Sequence, residues 1–228
     1  MIEEPKLLRI AKNLPRPSIK QIEALKMVPT GVANDAMWGK GAFTKAIKYF
    51  DPSSSTIPRI IGPALTVDTG PGDILALLAS LKFIEKGDIV VSSFGGYQGC
   101  AAAGDRVAGM LKNCGAAGFV TDGPMRDLNG LKKVGFPSGR TPASPVSKGP
   151  GTVGLNINIS GVEVCSGDVI IADPDGIIAI PLADLDEITI RCHEILELET
   201  ELDQKVSNGL KVPNEIELLL ESENVQYV

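Results

Sequence analysis

The chain has 228 residues, 43% of them apolar and 22% charged, with a formal net charge of -6 and a pI near 4.9. That balance permits a sizeable core and excludes a disordered chain, and the lack of any Lys/Arg cluster excludes a grip on phosphate backbones, so no nucleic acid is expected as a direct partner. Cys100, Cys114, Cys165 and Cys192 form no C-x-x-C pair, the N-terminus has no signal-like apolar core, and no run of about 18 apolar residues occurs, so we expect buried free thiols, a cytoplasmic chain and no membrane span.

In chain order, residues 18–27 read as a short helix and 30–37 (TGVANDAM) as a second, with Thr30 placed to cap it. Residues 52–58, with three serines between two prolines, read as a loop. Residues 60–67 alternate into an apolar strand that Pro63 should break. Gly70-Pro71-Gly72-Asp73 closes that strand, and Asp73 can cap a helix over 74–84 that is apolar on most sides.

From Asp88 the pattern is strand DIVVSS, loop FGGYQG, helix GDRVAGMLKN, Gly115 as a stop, strand GFVTDG and loop PMRD. Two strands joined by a helix of this length should lie parallel, and ligands in such units collect beyond the carboxyl ends of the strands. Residues 137–150 are rich in Gly, Pro and Ser, and 156–181 read as short strands divided by S-G, S-G-D and D-P-D-G turns. A C-terminal helix runs over about 184–208, with Asn208-Gly209 as its stop. The expectation is one α/β domain over residues 1–228, helical over about 1–50.

Three constellations carry possible chemistry. Gly104-Asp105-Arg106-Val107 opens the middle helix, where unpaired amides and the helix dipole suit a carboxylate or phosphate; equally, Asp105 can simply cap its own helix. Arg126-Asp127 follows a strand at the ligand edge, where Asp can hold a divalent cation and Arg can face an anionic substrate; a surface turn with solvated charges would read the same way. Glu199 falls amid the apolar stripe Ile188, Ile195, Leu202 and Val206, so it either enters a subunit interface or reaches out from the helix edge. His193, the only histidine, stands beside no Ser or Cys motif, and FGGYQG lacks both the Lys-Ser/Thr of a P-loop and the G-x-G-x-x-G spacing.

Taken in order, GPALTVDTGPGD (62–73), GDIVV (87–91), GD (104–105), DGPMRD (122–127) and SGDVIIADPDGIIAIP (166–181) resemble the RraA-like family, over roughly residues 30–209. That family includes 4-hydroxy-4-methyl-2-oxoglutarate aldolases that also decarboxylate oxaloacetate. The resemblance implies a layered β/β/α fold of the swivelling type, with a central β-α-β unit and flanking N- and C-terminal helices, assembled as a homotrimer or homohexamer. It implies Asp127 as a single-carboxylate ligand of Mg2+ or Mn2+, Arg126 as the substrate-facing arginine, and the backbone of Gly104, Asp105, Arg106 and Val107 as the cradle of a pyruvyl carboxylate. It also implies that Asp105 and Glu199 hold a proton-carrying water, with Glu199 supplied by a neighbouring subunit.

The implied partner is a small keto acid. The family also contains an inhibitor of ribonuclease E that works by protein contact, so a non-catalytic regulator is the alternative expectation. An older methyltransferase naming in the family finds no glycine fingerprint here for an S-adenosyl cofactor. Relatives usually carry an Asp and a run of glycines after the GD-x-V-V strand, whereas Ser92-Ser93-Phe94 precedes Gly95-Gly96 here, and the loop 95–103 holds small residues where relatives often place larger ones. These changes leave the second half of the substrate open.

Overall fold

A computed structural model describes residues 6–43, 47, 59–127, 135–136 and 139–228, so the loop expected at 52–58 lies outside the described residues. The N-terminal part contributes β1 (Leu8–Ile10), α1 (Ile19–Ala24) and α2 (Thr30–Ala36). Ser18 caps α1 with a full capping box through Gln21. Thr30 does not cap α2 as expected: it is the first helical residue, and the cap comes from far along the chain. The Asp173 carboxylate accepts from the Thr30 amide at 2.8 Å and from its hydroxyl at 2.6 Å.

The middle of the chain forms β2 (Ile60–Asp68), α3 (Leu75–Ser80), β3 (Ile89–Ser93), α4 (Asp105–Asn113) and β4 (Gly118–Thr121). Contrary to expectation, β2 runs unbroken through Pro63. Its antiparallel pairing with a later strand covers Ile60–Pro63, and its parallel pairing with β3 begins only at Ala64. Pro63 thus sits where β2 passes from one ladder to the next, so its missing N–H disrupts little. The helix expected over 74–84 is shorter, because its last turn tightens to a 3-10 turn at Leu81–Phe83.

Beyond this unit lie β5 (Pro124–Met125), β6 (Gly135–Phe136), β7 (Gly139–Arg140), β8 (Gly151–Val153), β9 (Ile157–Ile159), β10 (Val162–Val164), β11 (Val169–Asp173) and β12 (Gly176–Ile180). The chain closes with α5 (Leu185–Ser207) and α6 (Asn214–Leu220). The sequence pattern did not signal β1, β8 or α6. The main sheet runs β1-β8-β2-β3-β4-β6, with β11 also on β2 and β12 on β11. As expected, β3 and β4 are parallel, with Ile89–Ser92 opposite Gly118–Thr121.

Side-chain alternation divides the core into layers. Leu65, Val67, Val90 and Phe119 face α3 and α4, while Ala64, Ile89, Val91 and Val120 face Ile157, Ile159 and the Ile170/Ala172 side of β11. The opposite side of β11 and β12, through Val169, Ile171, Ile178 and Ile180, packs on α2 and on Leu185, Ile188 and Cys192 of α5. This is the α/β layering that the resemblance implies. Burial pushes the Cys192 thiol up to about 11, so it packs as a neutral group, whereas Cys114 is exposed, against the expectation of burial. Among the described residues, no helix is long and apolar enough to cross a membrane.

Candidate active site

The parallel pairing of β3 and β4 brings the loops after both strands to one edge, as strand-helix-strand units do. Three contacts stitch those loops together: the Ala102 amide donates to Pro124 O at 2.7 Å, the Arg126 amide donates to Ala103 O at 3.1 Å, and Ala103 pairs with Met125. Gly104 follows as the N-cap of α4, and a Cβ there would stand 2.6 Å from Oδ2 of Asp127 and 3.2 Å from Cγ of Arg126. Only glycine leaves the helix tip open to both side chains.

Asp127 adopts φ +59, a left-handed conformation that costs about 1 kcal/mol for a non-glycine residue. The turn aims its carboxylate back toward Gly104. Arg126 Nε lies 3.2 Å from Asp127 Oδ2, and the other end of the guanidinium donates to the Ser144 hydroxyl. The Arg126–Asp127 pair is open to solvent and therefore weak, so a ligand can displace it.

Around these groups lies a cavity of about 570 Å3, lined on its polar side by Gly104, Asp105, Arg106, Arg126 and Asp127. The apolar part of the lining comes from Ile74 and Leu78 of the α3 region, Met110 of α4, and Pro145 beside Ser144. The structure thus brings together every expected residue of the 104–107 and 126–127 segments. Glu199 does not line this cavity; it is exposed on α5.

Two supporting carboxylates were not recognised in these roles. Asp122 accepts from the Phe94 amide at 2.5 Å and the Gly96 amide at 2.8 Å, which fixes the loop after β3 against the loop after β4. The nearby Gly123 permits that approach, because a Cβ there would meet the Phe94 ring at 2.6 Å. Asp73 was read only as a helix cap, and it does accept from the Leu75 amide at 2.7 Å. Its other oxygen accepts from the Lys148 and Gly149 amides at 2.6 and 2.9 Å, tying the segment that carries Ser144 and Pro145 to α3. Burial alone would raise the Asp73 carboxyl, but these amide bonds outweigh it and hold it below its ordinary value. Asp-Gly directly after a strand was the one available signal for Asp122, and nothing local pointed to the Ser144 wall.

The GD-x4-D-x-DG stretch at residues 167–176, within the last of the family blocks, lies elsewhere and is structural. Asp168 accepts from the Cys165 amide at 2.8 Å and the Leu182 amide at 3.0 Å, and Asp173 holds the start of α2. Among the described residues no group of three His, Cys, Asp or Glu side chains could hold a metal.

The sequence pattern that defines the family described as "RraA-like: Aldolase/RraA" matches residues 31–179. A protein of Halalkalibacterium halodurans named "Putative 4-hydroxy-4-methyl-2-oxoglutarate aldolase" is 36% identical over 163 residues, spanning 70% of this chain and 76% of that protein. Among solved structures, Streptomyces coelicolor RraAS2, described as an unusual member of the RNase ES inhibitor RraA protein family, aligns with a TM-score of 0.73 at 23% identity. That alignment covers 83% of this chain and all of the other. The RNA-processing inhibitor RraA of Thermus thermophilus aligns with a TM-score of 0.59 at 26% identity, over 67% of this chain and 92% of that one.

Proposed function

This chain belongs to the RraA-like family, and from that premise we propose that it is an aldolase releasing pyruvate from 4-hydroxy-4-methyl-2-oxoglutarate or a related 4-hydroxy-2-oxo acid, dependent on Mg2+ or Mn2+. The observation that carries the reading is the convergence of the Gly104 helix tip with Arg126 and Asp127 in one cavity. Asp127 fits a hard divalent cation: it is a single, solvent-reachable carboxylate beside an open glycine, which suits an ion that retains water and takes substrate oxygens. When bound, such a cation supplies Lewis-acid polarisation of a keto oxygen.

The chain's own residues do the rest. The amides at the start of α4, with the helix dipole behind them, receive the pyruvyl carboxylate. The Arg126 guanidinium stabilises the negative charge that develops on the keto oxygen as the carbon–carbon bond breaks. Asp105, through a water, accepts the proton of the 4-hydroxyl and returns one to the enolate carbon. Oxaloacetate decarboxylation leaves the same enolate, so the same groups would serve it.

Glu199 completes the proton relay from a neighbouring subunit of a homotrimer or homohexamer. Support for this comes from α5, whose residues from Glu197 to Ser207 are all exposed and carry Leu198, Leu202 and Val206 to solvent. The second reading is a ribonuclease regulator acting by protein contact, favoured by what the RraAS2 and Thermus thermophilus proteins are described as doing. Pyruvate release from 4-hydroxy-4-methyl-2-oxoglutarate and oxaloacetate, with Mg2+ and after chelation, tests the choice. Metal-dependent turnover is expected; its absence together with inhibition of a ribonuclease would reverse it.

A further inference from the structure

Arg106 is a cation on the wall of the cavity. It is exposed at the second position of α4 and makes no hydrogen bond or ion pair among the described residues, whereas Arg126 is engaged by Asp127 and Ser144. Residues 106 and 110 stand one helical turn apart on the same face, so Arg106 shares its wall with Met110. The same cavity is lined by the apolar Ile74, Leu78 and Pro145, and its Ser144 hydroxyl is engaged by Arg126. A guanidinium in this position matches a carboxylate through paired N–H donors.

We propose that Arg106 is a specificity-determining residue that binds the second carboxylate at the distal end of the substrate. The inference rests on the proposed function, in which the α4 amides and Asp127 take the pyruvyl end. Arg106 therefore has two parts in the pocket. Its amide belongs to the pyruvyl cradle, and its side chain reads the other end of the molecule. The apolar residues beside it then accommodate the carbon substituent between the two carboxylates.

The test compares two unreactive keto acids of equal length, 2-oxoglutarate and 2-oxopentanoate, which differ only in a distal carboxylate against a methyl. Their affinities are measured by calorimetry with saturating Mg2+ on the wild type, Arg106→Ala and Arg106→Lys. The wild type is expected to favour 2-oxoglutarate by about tenfold or more, the range of a charge-assisted hydrogen bond. Arg106→Ala should lose most of that preference by weakening 2-oxoglutarate far more than 2-oxopentanoate, and Arg106→Lys should regain part of it. In turnover, the KM for 4-hydroxy-4-methyl-2-oxoglutarate should rise more than kcat falls in Arg106→Ala. If the wild type binds both keto acids equally, or Arg106→Ala keeps the wild-type ratio, the role of Arg106 is overturned while the aldolase reading stands. If neither keto acid binds the wild type, the reading of the site itself fails and the inference with it.

Discussion

Asp105 and Glu199 are both carboxylates on helices, yet they stand in opposite situations. Asp105 sits at the tip of α4, over two parallel strands whose loops are stitched by Ala102, Ala103 and Arg126 backbone bonds. Glu199 sits in the half of α5 beyond Leu196, the last residue that packs on the core. That half spans 11 exposed residues, about 16 Å of helix at 1.5 Å per residue. The first position is built by contacts within one chain, so a single copy suffices to define it. The second has no such contacts among the described residues, so the part proposed for Glu199 depends on a partner.

The sharpest way to break this contrast is Asp127→Ala, which should abolish metal-dependent pyruvate release, a loss of more than about 10³-fold, with the circular dichroism spectrum unchanged. Wild-type turnover in that variant would remove Asp127 from the site. Next, Arg126→Ala should lower kcat by about 10²–10³-fold in steady-state assays, the range for losing one preorganised donor at a developing charge. An effect confined to KM would instead assign Arg126 to binding alone.

Glu199→Ala should cost about 10²-fold, and mixing it with Asp127→Ala before reassembly should restore part of the activity, because some sites then combine both intact groups. A mixture that stays inactive would contradict the shared site. A smaller effect is expected at Asp122. Asp122→Ala leaves the buried Phe94 amide and the partly buried Gly96 amide without this acceptor, and should reduce stability by about 1–3 kcal/mol in urea denaturation. Glu199→Ala should leave that stability near wild type. The smallest effect is Asp127→Gly, which relieves the left-handed backbone and should change stability by at most about 1 kcal/mol in the favourable direction, despite the lost activity.

Acid should weaken the framework through Asp73 and Asp173. Burial alone would raise Asp173, but bonds from Thr30 and from the Asp175 and Gly176 amides bring it below its ordinary value, as amide bonds do for Asp73. A carboxylate whose folded pKa is depressed stabilises the fold above its unfolded value of about 3.9. That contribution fades as pH falls from there through the folded pKa. The stability lost in Asp73→Asn and Asp173→Asn, measured by urea denaturation across pH, should therefore be full above about pH 4 and shrink below it as the wild-type carboxylates protonate.

The order of strand, helix and strand from Asp88 to Thr121 was legible because hydrophobic period and turn residues are local signals. The positions of Gly104, Arg126 and Asp127 at one edge followed from the parallel-strand rule. Pro63 and Thr30 were misjudged for one shared reason. A proline's cost depends on which neighbour needs its amide, and α2 is capped by Asp173, 143 residues away. Local pattern holds neither fact.

By itself, then, the amino-acid sequence determined the layered α/β class, the family blocks and the residues at the strand ends, since each is encoded over a few neighbouring positions. Only the tertiary structure decided that Ile74, Leu78, Ser144 and Pro145 wall the cavity, that Arg106 pairs with none of the described residues, and that Glu199 stands outside it. Those outcomes depend on contacts between segments far apart in the chain. Such contacts are chosen by how whole faces pack, and no short stretch of residues carries that information.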